Sequence, residues 1–148
     1  MAFVNIIISE ENNLVLTREI GPTDGKDIVE IHRDFLKDSG LGKHLRVLVC
    51  LHGEQDPDLL PEHMVECVPV QEQIMTLRGT CRTAIMAPTP LTYGISRMYK
   101  SYVESAGHTF GIFSTLDECF DWLSMTEDER TEVRRNLPMP DLDLENVD

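Results

Sequence analysis

His52, His63 and Cys67 are the side chains in the middle of the chain best able to ligate a metal, and His63 and Cys67 stand one helical turn apart. A structural zinc site needs four such ligands. Pro61 and Pro69 bracket the pair, and a third or fourth ligand must come from elsewhere, so no metal and no other cofactor is expected. His52 or His63 as the base of a small enzyme is the competing reading, and only residue type speaks for it. Cys81 follows "RGT" at the entrance to an apolar run, but neither a G-x-S-x-G elbow nor a cysteine-protease signature surrounds it. Asp56 with Asp58 and Asp117 with Glu118 are carboxylate pairs in a chain of formal net charge −13, where such pairs carry no special weight for acid–base work. His32 reads as a helix-surface or boundary residue beside Ile31 and Phe35, while His44 and His108 read as strand-entrance residues. The expectation is a protein that is not an enzyme.

The elements that must position these groups follow from periodicity. Phe3–Ile8 and Leu14–Ile20 are β-rich runs separated by the turn-prone "SEENN" and are expected to pair as a hairpin. A helix follows, with Thr23 or Asp24 as N-cap, Ile28, Ile31 and Phe35 on one face, and Gly40 past its end. Leu45–Leu51 is a continuous apolar run, which suits a strand covered on both faces of a parallel sheet. "RTAIMA" from Arg82 and Gly107–Phe113 are the next two strands. Between them Thr89 is placed to cap a helix with Pro90 as its first residue. Leu91, Ile95, Met98 and Tyr102 form its expected core stripe, and Gly94 marks a place where a backbone or ligand comes close. Ser114 with Asp117 resembles a capping box before Leu116, Cys119, Phe120 and Leu123, and Thr126 with Glu129 announces a further short helix.

Residues 52–80 hold three prolines among Leu, Met and Val residues, so one broken or mobile helix is expected there. Leu59, Leu60, Met64, Val65, Val68, Ile74 and Met75 could cover a cleft against the Gly94 helix or simply close the core. His52, Gln55, Leu60, Met64, Tyr93, Gly94 and Arg97 are the residues expected to meet a ligand or partner.

At 148 residues the chain fits one domain large enough to fold without disulfides or metal. Its acidity argues against nucleic acid and against an electrostatic membrane anchor. The opening "AFVNIIISEE" lacks a basic leader, and Cys50, Cys67, Cys81 and Cys119 show no C-x-x-C spacing, so four reduced cysteines and a cytoplasmic location are expected. Residues 1–124 read as the domain. Residues 125–148 read as a short C-terminal helix and an acidic tail, disordered after Pro138.

"AIMAPTPLTYGISRMYKSYVESAG" followed by "FGIFSTLDECFDWL" resembles the bacterial SpoIIAA-like family, also described as STAS/SEC14-like domains. The matching positions are Ala87, Pro88, Tyr93, Gly94, Arg97, Met98, Phe113, Leu116, Asp117, Glu118, Trp122 and Leu123. The resemblance implies an α/β fold, with a mixed β-sheet of about five strands and helices in a β-α superhelical arrangement. It also implies two uses. One is the phosphoserine switch of anti-sigma-factor antagonists, but no Ser, Thr or Tyr occurs from Gly40 to Met75, so that switch is absent. The other is a SEC14-like carrier of a hydrophobic ligand such as a lipid, with residues 52–80 as a mobile lid. The expectation is a non-enzymatic cytoplasmic binding or regulatory module, acting through an unknown protein partner or a small apolar ligand, with a homodimer left open.

Overall fold

A computed structural model describes residues 3–20, 25–38, 40–52 and 61–137. Strands β1 (Phe3–Ser9), β2 (Leu14–Ile20), β3 (Arg46–His52), β4 (Arg82–Met86) and β5 (Thr109–Phe113) form one sheet in chain order, with β1 antiparallel to β2 and the other neighbours parallel. This is the expected five-stranded mixed sheet. Helices α1 (Gly25–Lys37), α2 (Pro61–Arg78) and α3 (Pro90–Val103) connect successive parallel strands, and α4 (Leu116–Trp122) and α5 (Glu127–Asn136) follow β5. No helix among the described residues is long and apolar enough to cross a membrane.

Strand order explains the layering. Crossovers of one hand between neighbouring parallel strands all fall on the same side of a sheet, so α1, α2 and α3 share one face. Val15 and Val47 pack there against Phe35, Val70 and Ile74. Residues of opposite parity, Leu14, Leu16, Leu48, Cys50, Ala84 and Met86, point the other way and pack on Cys119, Phe120, Leu123, Val133 and Leu137. Burial on both faces is why "VLVCL" shows no polar alternation. Met125, Val133 and Leu137 belong to the same core as the strands, so α5 is packed into the domain.

Two local readings change. Residues Pro61–Arg78 form one continuous helix despite Pro69. A helix-interior proline frees the carbonyl four residues earlier, here that of Val65. Pro69 and Val65 are both exposed, so water can satisfy that group. Met64, Cys67, Val70 and Ile74 lie on the opposite, buried side. The segment from 61 to 78 is therefore a core helix, not a broken one. It ends at Gly79, whose φ of 73° is the left-handed geometry that closes helices.

The second change concerns α3. Its buried residues are Thr92, Ser96 and Val103, while Leu91 is 46% exposed and Ile95, Met98 and Tyr102 are half-buried. The inward face is rotated from the expected stripe because the cap fixes Thr92: its hydroxyl accepts from the Thr89 N–H at 3.0 Å and donates to the Thr89 carbonyl at 3.0 Å. Thr89 Oγ1 in turn accepts from the Thr92 N–H. Thr89→Ala removes one side of this reciprocal cap and should cost about 1 kcal/mol in urea unfolding, with an unchanged m-value. Capping of α4 also shifts by one residue, to Thr115, which accepts from the Glu118 N–H.

Thr126 and Glu129 form the expected capping box. Glu129 is 6% exposed, pairs with Arg46 of β3 and accepts from Asn12. Burial works to raise its carboxyl pKa, but Arg46, the Thr126 N–H and Asn12 together hold it below the usual range. A carboxylate depressed in the folded state stabilises above its unfolded pKa, and that stability fades as pH falls through the folded value. Glu129→Gln should therefore lose about 2 kcal/mol at pH 7. The gap to wild type should narrow below about pH 4, and a gap independent of pH would assign the loss to packing.

Candidate ligand cavity

Under α1, α2 and α3 the sheet and helices do not close completely on one another, and a cavity of about 100 Å³ remains. Val47, Val49 and Leu51 of β3 and Thr83 and Ile85 of β4 form its floor. Ile28, Ile31 and Phe35 of α1, Met64 and Ile74 of α2, and Ile95 of α3 form much of its walls. Among the described residues that line it, none is an aspartate, glutamate, lysine or arginine. An engineered apolar cavity of about 150 Å³ holds benzene, so this space suits a guest of roughly five non-hydrogen atoms.

A chain of polar side chains crosses this apolar space. Gln71 Nε2 donates to the Tyr99 hydroxyl at 3.0 Å, and Tyr99 is hydrogen-bonded to His32 Nε2. The His32 Nδ1 lies 2.7 Å from the Ile28 carbonyl. A carbonyl only accepts, so Nδ1 carries the proton and Nε2 accepts from Tyr99. Each of three helices contributes one member: α1 places His32 one turn after Ile28, α2 presents Gln71 from its buried side, and α3 brings in Tyr99 beside the inward-facing Ser96. Tyr99 also meets Phe110 edge-on, with ring centroids 6.0 Å apart.

Burial sets the charge state of the network. It is the main cause that lowers the His32 pKa to about 4, opposed by the Ile28 carbonyl and reinforced by nearby His108. Burial likewise pushes the Tyr99 phenol well above its usual range. His108 accepts from the Cys81 N–H at Nδ1, 3.0 Å, and its Nε2 meets the Gln71 carbonyl at 2.9 Å, so it is the neutral Nε2–H tautomer. Its pKa is lowered, chiefly by burial. His108 thus ties the backbone of Gln71 to the sheet and supports the polar chain from behind.

Two hydroxyls at the cavity stay unused. Ser96 is 4% exposed, and neither its hydroxyl nor that of Thr83 has a hydrogen bond to any described residue. Gln71, by contrast, spends only one of its amide protons on Tyr99.

The expected site residues divide between places. Met64 lines the cavity at 1% exposure. Tyr93 and Arg97 lie on the outer side of α3, lining a separate groove of about 330 Å³ with Lys100, Ser101, Glu104 and Ile112. Gly94 is exposed, with no described residue within 4 Å of the position a Cβ would take, which corrects the expected close approach among the described residues. Gln55 and Leu60 lie outside the described residues, as do the His52 side chain, the Thr23 and Asp24 cap and the tail after Leu137. Among the described residues no group of three or more His, Cys, Asp and Glu is arranged to hold a metal ion. Cys67 donates its S–H to the His63 carbonyl, 3.3 Å away.

All four cysteines are free and buried. Burial is the largest cause that raises each thiol, Cys67 and Cys119 to about 12, and Cys50 and Cys81 in the same direction. Sequence reasoning missed His32, Gln71, Ser96, Tyr99 and His108. The available signals were the histidine beside Ile31 and Phe35 and the polar positions one turn apart in α3.

No family model and no curated protein matches the sequence. Among solved structures the chain is similar to an uncharacterised protein of the DUF3478 family from Shewanella loihica PV-4, described as having a SpoIIAA-like fold, at 16% identity and a TM-score of 0.49. The likeness covers 82% of this chain and 92% of the other.

Proposed function

We propose that the chain is a non-enzymatic binding module that takes a small, neutral, largely apolar molecule between its sheet and helices α1–α3. The observation that carries this reading is the cavity itself, whose polar side chains are held uncharged and whose described lining residues offer no ionised partner. The non-catalytic part is supported by the commitments of the reactive groups. Both nitrogens of His32 and of His108 are engaged, and burial keeps the thiols protonated. Four unpaired cysteines suit a reducing compartment such as the cytoplasm. A phosphoserine switch has no hydroxyl to use between Gly40 and Met75.

Thermal unfolding with 1-chlorobutane tests the reading. A ligand that binds only the folded state adds about 1.4 kcal/mol at ten times its Kd, so a saturable rise in Tm is expected. Thr83→Ile exchanges one β-branched strand residue for a larger one and fills the cavity. It should stabilise the free protein by about 0.5–1 kcal/mol and remove the ligand-dependent rise. An absent rise in wild type, or an undiminished one in Thr83→Ile, contradicts occupancy of this cavity.

A further inference from the structure

We infer that the ligand is a small uncharged molecule with one hydroxyl or comparable hydrogen-bonding group, held by the hydroxyls of Ser96 and Thr83 while its hydrocarbon part lies on Val49, Ile85 and Ile95. The inference rests on the cavity being a ligand site and adds the chemistry that selects the ligand. A hydroxyl that lines a cavity without a protein partner has hydrogen-bonding capacity left for a guest. Ser96 is 4% exposed and lines the cavity, yet its hydroxyl has no hydrogen bond to any described residue, and the hydroxyl of half-buried Thr83 on the floor shares that lack. Tyr99 and His32 differ, since their hydrogen bonds to Gln71, to each other and to Ile28 are complete without a guest.

Charge is selected against by the same lining. An ammonium or carboxylate entering the cavity would lose its hydration and meet no ion of opposite sign among the described lining residues. His32 cannot supply one near neutral pH, because its ring is neutral and its two nitrogens are occupied. A neutral alcohol fits these conditions. It can donate to one of the two hydroxyls and accept from the other, and a chain of about four carbons fills the remaining space.

Four probes of nearly equal size separate the elements of this proposal: butan-1-ol, 1-chlorobutane, butylammonium and butanoate, titrated into the full chain at pH 7 and followed by amide chemical shifts. Butan-1-ol should bind about fivefold to tenfold more tightly than 1-chlorobutane, as a satisfied buried hydrogen bond implies. Each charged homologue should bind at least about tenfold more weakly than the alcohol. Ser96→Ala and the near-isosteric Thr83→Val should each reduce the preference for the alcohol while leaving 1-chlorobutane binding within about twofold. Two variants on different elements keep the test decisive if one fails to fold. Equal affinity for butan-1-ol and 1-chlorobutane in wild type, or a preference unchanged in both variants, overturns the inference and leaves the cavity reading intact. A charged homologue that binds as tightly as the alcohol also overturns it. Failure of all four probes to bind removes the cavity reading as well.

Discussion

Arg78→Met should lower the free energy of unfolding by about 3 kcal/mol, a larger loss than removing a single helix cap. Arg78 ends α2, and its guanidinium spans to the end of α1 and the loop beyond it. Nη2 donates to the carbonyls of Phe35 at 2.9 Å and Asp38 at 2.7 Å. Nη1 donates to the carbonyls of Leu41 and Gly42. The last carbonyls of a helix lack intrahelical partners, so one planar cation here satisfies a helix terminus and orders the turn that leads to β3. Arg78→Lys should recover less than half of the loss, because an ammonium presents its donors from a single point and cannot fork across four acceptors. Urea titration at constant m-value measures both. A loss below about 1 kcal/mol for Arg78→Met would mean that water replaces the guanidinium at these carbonyls.

Acid should weaken the fold through His32. Its pKa falls from 6.5 to about 4 on folding, mainly through burial. The folded value lies below the unfolded one, so this contribution is fully present above pH 6.5 and lost as pH falls toward 4. A separation of that size corresponds to about 3 kcal/mol. His108 shifts in the same direction and adds to the slope. His32→Gln removes one titrating ring. It should cost about 1 kcal/mol at pH 7 through the altered Tyr99 contact and should flatten much of the fall in stability between pH 6.5 and 4. An undiminished slope in His32→Gln would transfer the acid sensitivity to other groups.

Much of the fold is legible in the chain because its signals are local. The doubly apolar run from Val47 to Leu51, the Thr89–Pro90 helix start and the Thr126–Glu129 box each state a geometry within a few residues. Pro69 misleads because a local rule cannot say which side of a helix faces water, and that side decides whether a freed carbonyl is costly. The α3 stripe misleads for a related reason: Leu91 begins an apolar pattern, yet the Thr89–Thr92 cap turns Thr92 and Ser96 inward. The site is less legible still. Gln71 and Tyr99 are 28 positions apart and Tyr99 and His32 are 67 apart, so no spacing marks their contact. Among the expected site residues that are described, Met64 alone is placed at the cavity, because its helical phase coincides with the buried face of α2.

Anomalous diffraction from crystals grown with 1-bromobutane would locate a guest in the protein, since bromine reports position without reference to any mutation. A peak is expected inside the cavity, over the floor formed by Val49, Thr83 and Ile85 and within reach of Ser96 and Tyr99. A peak confined to the outer groove at Tyr93 and Arg97, or an empty cavity at ligand concentrations that saturate the protein in solution, would contradict it.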